Sequence, residues 1–215
     1  VNNKDVYKGN GIDMETTFLH QVAKKLHWDL QIHKNKTFQE MNDILNDEMR
    51  RDFSKVHSFI LIIVTAGGKD GLSGTDGRVI NYSLIPERFD QVPGLQQKPK
   101  IFIFDDCQFF KDDELSRGIQ GTYITVPKQT AQDLTELSRG IQGMPDEIRD
   151  QRDCEALVEK HQNTFFCKAT TLGRSDKTVK GSWVVGALIS LLCHPEGGQR
   201  SFQDMMVQVR MMFEE

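Results

Sequence analysis

At 215 residues the chain has room for one domain with a substantial core and too little for two of ordinary size. Apolar residues at 38% and charged residues at 27% exclude a disordered tail or a fibrous protein, and the net charge of −4 gives no broad basic field for nucleic acid. The longest apolar run, Phe59–Val64, is far too short to cross a bilayer, and no signal peptide is visible, so a cytoplasmic protein with no membrane partner is expected.

Val1–Lys4 reads as the tail of a strand, followed by a loop with Gly9 and Gly11. Asp13 is placed to cap a helix over Met14–Leu26, with Phe18, Val22 and Leu26 as its buried face. Trp28–His33 alternates and predicts a strand. Thr37, with Glu40 three residues later, is a capping-box pattern that opens a helix running to about Met49.

Phe59–Val64 is a continuous apolar run leading into a Gly-rich loop, Gly67–Gly77. Runs this short suit central strands of a parallel sheet covered on both faces. Within the loop, Gly74-Thr75-Asp76-Gly77 is a hairpin turn with Val79-Ile80 returning along it. Ser83 is expected to cap a short helix, Leu84–Phe89. Ile101–Phe104 is the next buried strand, ending at Asp105-Asp106-Cys107. Alternating strands and helices predict a doubly wound α/β domain, whose functional residues gather where loops leave the strands' carboxyl ends.

From Gln108 to Gln162 the pattern dissolves into charged and polar residues, with prolines at 127 and 145. Glu114–Gly121 recurs almost verbatim as Glu136–Gly143, 22 residues on, too few copies for a solenoid. A duplicated surface linker is the reading, with a paired binding motif as the alternative. Order returns with a strand at Thr164–Ala169. Gly181-Ser182-Trp183 then leads into a helix over Val184–Leu192, and a last helix spans Ser201–Phe213. In that helix Phe202, Met205, Met206, Val209, Met212 and Phe213 form one apolar stripe, read as core rather than as a docking face. The cysteines (Cys107, Cys154, Cys167, Cys193) contain no C-x-x-C, and no H-E-x-x-H occurs, so neither a metal site nor a cofactor is expected. Their sparse spacing suits a reducing compartment and leaves one bridge open, Cys154–Cys167.

Two stretches carry a family resemblance. Ser58-Phe59 through Gly74-Thr75-Asp76-Gly77, and Lys98–Cys107, resemble the core of the caspases, whose pattern is S-F-x-x-x-x-x-S-H-G, a G-T-D/N-G turn, then K-P-K-x-F-x-x-Q-A-C-R-G. Gly181-Ser182-Trp183 resembles the motif that opens the first helix of the caspase small subunit. The resemblance implies a caspase-like three-layer sandwich, with a mostly parallel central sheet flanked by helices. Residues 1–107 would be its large-subunit-like part, 108–162 an intersubunit-type linker and 163–215 its small-subunit-like part.

The resemblance also implies a site whose chemistry has been edited. Ala66 stands where the family has its catalytic His, Cys107 keeps the nucleophile position, and Gly67 keeps an oxyanion position. Ala66 cannot accept a proton, and His57, nine residues earlier on the same strand, is about 30 Å away along an extended chain. Asp105 and Asp106 replace Gln-Ala and oppose a thiolate at Cys107. The family's Asp-selecting pocket falls on His20, Asp105 and either Asp176 or Arg174, so carboxylates stand where cationic recognition is needed.

On these residues the expected function is that of a proteolytically inactive pseudo-caspase, with insect decoy caspases as the type it most resembles. It would regulate active caspases or apoptotic signalling by pairing or competition. Its partner would be a paralogous active caspase or an apoptotic adaptor. The alternative is a cysteine protease of altered specificity using Cys107, and a third reading is a scaffold whose repeated linker motif recruits a partner. Asp146, Asp150 and Asp153 of the linker are candidate processing sites for an active caspase. Because the chain stops just after its last helix, a monomer is expected.

Overall fold

Both apolar runs lie at the centre of one sheet in the computed structural model, which describes residues 11–68, 71–110, 122–125, 161, 163–174 and 182–212. Helix α1 (Gly11–Leu26) and helix α2 (Phe38–Met49) precede strands β1 (Phe59–Gly68), β2 (Gly71–Ser73) and β3 (Val79–Ile80). Then come α3 (Leu84–Asp90), β4 (Lys100–Phe110), β5 (Thr122–Thr125), β6 (Thr164–Arg174), α4 (Trp183–Cys193) and α5 (Phe202–Met211). Among the described residues the sheet has six strands in the order β3-β2-β1-β4-β6-β5. Its centre, β1-β4-β6, is parallel, while β2, β3 and β5 are antiparallel additions. The expected mostly parallel sheet between helices is what forms.

The continuous apolar runs follow from helices on both faces. Alternate residues of β4 go to opposite layers: Ile101 and Ile103 pack with Val22, Val184, Leu188, Met206 and Val209 of α1, α4 and α5. Phe102 and Phe104 pack with Met41, Leu45, Ile85 and Phe89 of α2 and α3. Each strand therefore needs large apolar residues at every position, which removes the period-two signal.

The capping box is present. Thr37 Oγ1 accepts from the Glu40 N–H at 3.3 Å, and Glu40 Oε2 accepts from the Thr37 N–H at 2.8 Å. Thr37→Ala is expected to lower stability by about 1 kcal/mol, read as a drop in the urea midpoint with unchanged slope. Asp76 of the β2–β3 turn also accepts from the Phe38 N–H, at 3.1 Å, which ties the hairpin to the start of α2. Gly77 in that turn has φ +73, as its Asp-Gly sequence predicts.

Several expectations are corrected. Trp28–His33 is not a strand: among the described residues it has no ladder, and Trp28 is 37% exposed. Helix α1 begins at Gly11, so Asp13 lies inside it, and Phe18 is 41% exposed. The buried stripe is one residue further round, through Leu19, Val22, Ala23 and Leu26. Ser83 makes no cap hydrogen bond to α3; its hydroxyl donates to Asn81 Oδ1 instead.

The expected loop after Val64 begins later, because β1 continues to Gly68 and pairs with β2. Strand β4 does not end at Phe104, and β6 does not end at Ala169. They hold each other in register to Phe110 and Arg174. The expected pattern-free stretch contains β5, Thr-Tyr-Ile-Thr, which pairs with β6. In α5, Met205, Met206 and Val209 are buried as expected, but Met212 lies past the helix and is exposed. Cys167 is buried, and the Cys154–Cys167 bridge cannot be placed within the described residues because Cys154 lies outside them. Val1–Lys4, Gly9, both copies of the repeat, Cys154, Asp146, Asp150, Asp153, Asp176, Gly181 and Phe213 lie outside the described residues.

Candidate functional site

The parallel register sets three strands abreast. Ala66 of β1 is the partner of Cys107 in β4, and Cys107 is the partner of Thr171 in β6. The two dyad positions are thus neighbours in space, 41 residues apart in sequence, as strands of one parallel sheet allow. Gly67, the oxyanion position, is paired with Leu72 in the β1–β2 ladder. Cys107 was expected at a strand end. It lies within β4 instead, three residues before the last, with a paired strand on either side. His57 is exposed just before β1, at the far end of that strand from Ala66.

Just below these positions the sheet carries buried acids. Asp105 is 0% exposed, between Val64 and Ala169, and Asp106 is 1% exposed, between Thr65 and Thr170. Alternation sends Asp105 toward the α1 and α4 layer. There Glu15 of α1 is buried, accepts a hydrogen bond from the Ser182 backbone and feels the charge of Asp105. Burial, opposed by the Ser182 hydrogen bond and reinforced by Asp105, pushes the Glu15 carboxyl up to about 8. Ser182 is itself the N-cap of α4, its Oγ accepting from the Val185 N–H at 3.1 Å. On the opposite face Lys168 is buried, with Nζ 4.8 Å from the centre of the Tyr82 ring.

The expected pocket residues divide. Asp105 is at the site. His20 is exposed on α1, and the residue of that helix that meets Asp105 is Glu15. Asp176 lies outside the described residues, and Arg174 closes β6. Glu15 could have been suspected as an acid in a helix's apolar stripe, four residues before Leu19.

A second polar cluster sits at the opposite end of the sheet and escaped sequence reading. His161, just before β6, is 3% exposed, and its Nδ1 meets Asp90 Oδ2 at the end of α3. Asp90 Oδ1 lies 3.5 Å from Nζ of Lys100, the first residue of β4 and 1% exposed. Lys100 also donates to the Leu95 carbonyl at 3.4 Å. The other ring nitrogen of His161, Nε2, is buried without a hydrogen bond. Leu84, Glu87, Arg88 and Gln91 complete a cleft of roughly 600 Å³ beside it. Asp90 and His161 are 71 residues apart, with no motif around either. Only the fold makes them neighbours. Three elements, α3, β4 and the start of β6, meet on this one carboxylate.

Comparison with known proteins places this geometry. The caspase domain family model matches residues 1–215. Caspase-3 of Bos taurus is 28% identical over 128 residues, 56% of this chain and 45% of that protein. Caspase-2 of Gallus gallus is 29% identical over 119 residues, 54% of this chain and 27% of that protein. Caspase-8 of Mus musculus is 30% identical over 100 residues, 46% of this chain and 21% of that protein. The aligned stretches span about half or less of the length of these curated relatives. Among solved structures, one described as pro-sf-caspase-1 superposes with a TM-score of 0.61 at 20% identity, covering 93% of this chain and 68% of that one. That likeness is one of fold.

Proposed function

The chain belongs to the caspase family, and from that premise we propose that it is a member without proteolytic activity, acting on active members or their adaptors by pairing or competition. One observation carries this reading: the residue abreast of Cys107 in the neighbouring strand is Ala66. A cysteine peptidase needs a base poised to take the thiol proton and return it to the leaving amine, and a methyl group can do neither. Of the six histidines, His57 is at the far end of β1 from Ala66 and His161 is fastened to Asp90 at the opposite end of the sheet, while His20 is exposed on α1.

The acids support the same reading. Asp105, the position where the family resemblance implies the amide of the Asp-selecting pocket, is a fully buried carboxylate and offers an acidic substrate side chain neither an amide nor a cation. What is retained is the sheet and the helices that cover it, the parts that would shape a surface shared with active relatives. The test is to titrate the purified chain into an active caspase and follow cleavage of a fluorogenic peptide. A severalfold change in rate at equimolar chain is expected, in either direction. An unchanged rate at large excess would count against the regulatory half of the proposal.

A further inference from the structure

Strands β4 and β6 stay paired beyond the last residue that β1 contributes. Ala66↔Cys107 is the final β1–β4 partnership, yet Gln108↔Leu172, Phe109↔Gly173 and Phe110↔Arg174 continue the β4–β6 ladder. Among the described residues, β5 covers the other side of β6 over Phe166–Ala169. Among the described residues, the three rungs past Cys107 thus form a two-stranded parallel ribbon about 10 Å long. Its residues are Gln108, Phe109 and Phe110 in β4 and Leu172, Gly173 and Arg174 in β6, with strand-favouring aromatics on one side and a strand-weakening glycine on the other. Yet two-stranded parallel pairing is the weakest kind of ladder, and a ribbon without further neighbours is marginal by itself. The element is thus formed and easily opened.

We propose that this ribbon is a strap that closes the degenerate centre, holding the backbone around Cys107 and Thr171 inside the sheet so that no incoming peptide strand can pair there. The inference rests on the reading of Ala66, Cys107 and Gly67 as a retired active centre. In a parallel strand a residue sends its N–H and its C=O toward the same neighbour. Cys107 has a neighbour on both sides, so its groups are engaged whichever way they face. Gly67 is engaged with β2. Extended peptides bind proteases and other receptors by adding a strand to free backbone groups. The strap takes those groups first, and it does so independently of the missing base.

The experiment uses the full chain and two backbone breakers, Gln108→Pro and Phe109→Pro, made separately because alternate residues face β6. Hydrogen exchange of the 107–110 and 171–174 amides is measured together with the rate of iodoacetamide labelling at Cys107. In the wild type these amides are expected to exchange at least tenfold slower than an unstructured chain and at least tenfold faster than those of 101–104. Cys107 should label at least tenfold slower than the exposed Cys193. At least one proline variant should bring 171–174 to the unstructured rate and raise Cys107 labelling at least tenfold. Wild-type exchange at the unstructured rate overturns the strap, and so does Cys107 labelling that stays unchanged once the ribbon is lost. If both variants fail to fold, the wild-type exchange decides alone. Fast labelling of Cys107 without peptide cleavage would sink the strap and leave the inactive-caspase reading standing; cleavage that depends on Cys107 would sink that reading.

Discussion

Asp90→Ala is expected to destabilise the protein by about 3 kcal/mol or more, read as a lowered urea midpoint. Asp90 faces two side chains that the fold has taken out of water: the Lys100 ammonium, 1% exposed, with Nζ 3.5 Å from Oδ1, and the His161 ring, with Nδ1 against Oδ2. Removing the carboxylate takes a charged partner away from a buried ammonium that also donates to the Leu95 carbonyl. Breaking one side of a buried pair costs much more than replacing the pair outright, because the surviving charge keeps its desolvation cost. Hence Asp90→Ala combined with Lys100→Met should recover most of the loss, a non-additivity that a double-mutant cycle measures. A single-variant loss under about 1 kcal/mol would mean that water reaches Lys100 and the cluster carries little weight.

Glu15→Gln is expected to act in the other direction, and only above acid pH. In the native state Glu15 keeps its proton to about pH 8, chiefly because it is buried, whereas in the unfolded chain it ionises near its ordinary value of 4.5. The native state therefore binds the extra proton between these values. Stability contributed by this group is intact below about pH 4.5 and falls as pH rises through 8. At about 1.4 kcal/mol per pH unit, the loss by pH 8 is on the order of 4 kcal/mol. Glutamine keeps an acceptor for the Ser182 N–H and does not ionise. The variant should match the wild type at pH 5 and exceed it progressively toward pH 8, by roughly 8–16 °C in Tm. Parallel Tm curves for the two proteins across that range would show that Glu15 is solvated after all.

Much of the layer architecture was legible in the sequence, because strands covered on both faces carry continuous apolar runs. Phe59–Val64 and Ile101–Phe104 could hardly be anything else in a chain that alternates with helices. The capping box and the Asp-Gly hairpin were legible because each is a local geometry with its own residue requirement. Strand ends were not. Asp105 and Asp106 look like the close of β4, but pairing with β6 on one side and β1 on the other carries the strand through them. Trp28–His33 shows the converse, an alternating pattern with no ladder to join.

The site divides the same way. Ala66 and Cys107 were legible because a motif fixes their positions, and their partnership across the sheet follows from two parallel strands in register. Glu15 was hidden because a carboxyl gains its meaning from Asp105 and Ser182, which only tertiary packing brings to it. His161 was hidden for the same reason: Asp90 and Lys100 reach it through the ends of three different elements. His20 was placed by alignment alone, and it is exposed on α1.

The central claim, that this caspase fold no longer cleaves peptides, is tested most directly by incubating the wild-type chain and Cys107→Ala with a broad peptide library at neutral pH and comparing every cleavage. With Ala66 in place of a base, the two proteins should give indistinguishable traces. Any cleavage present in the wild type and absent from Cys107→Ala would contradict the account.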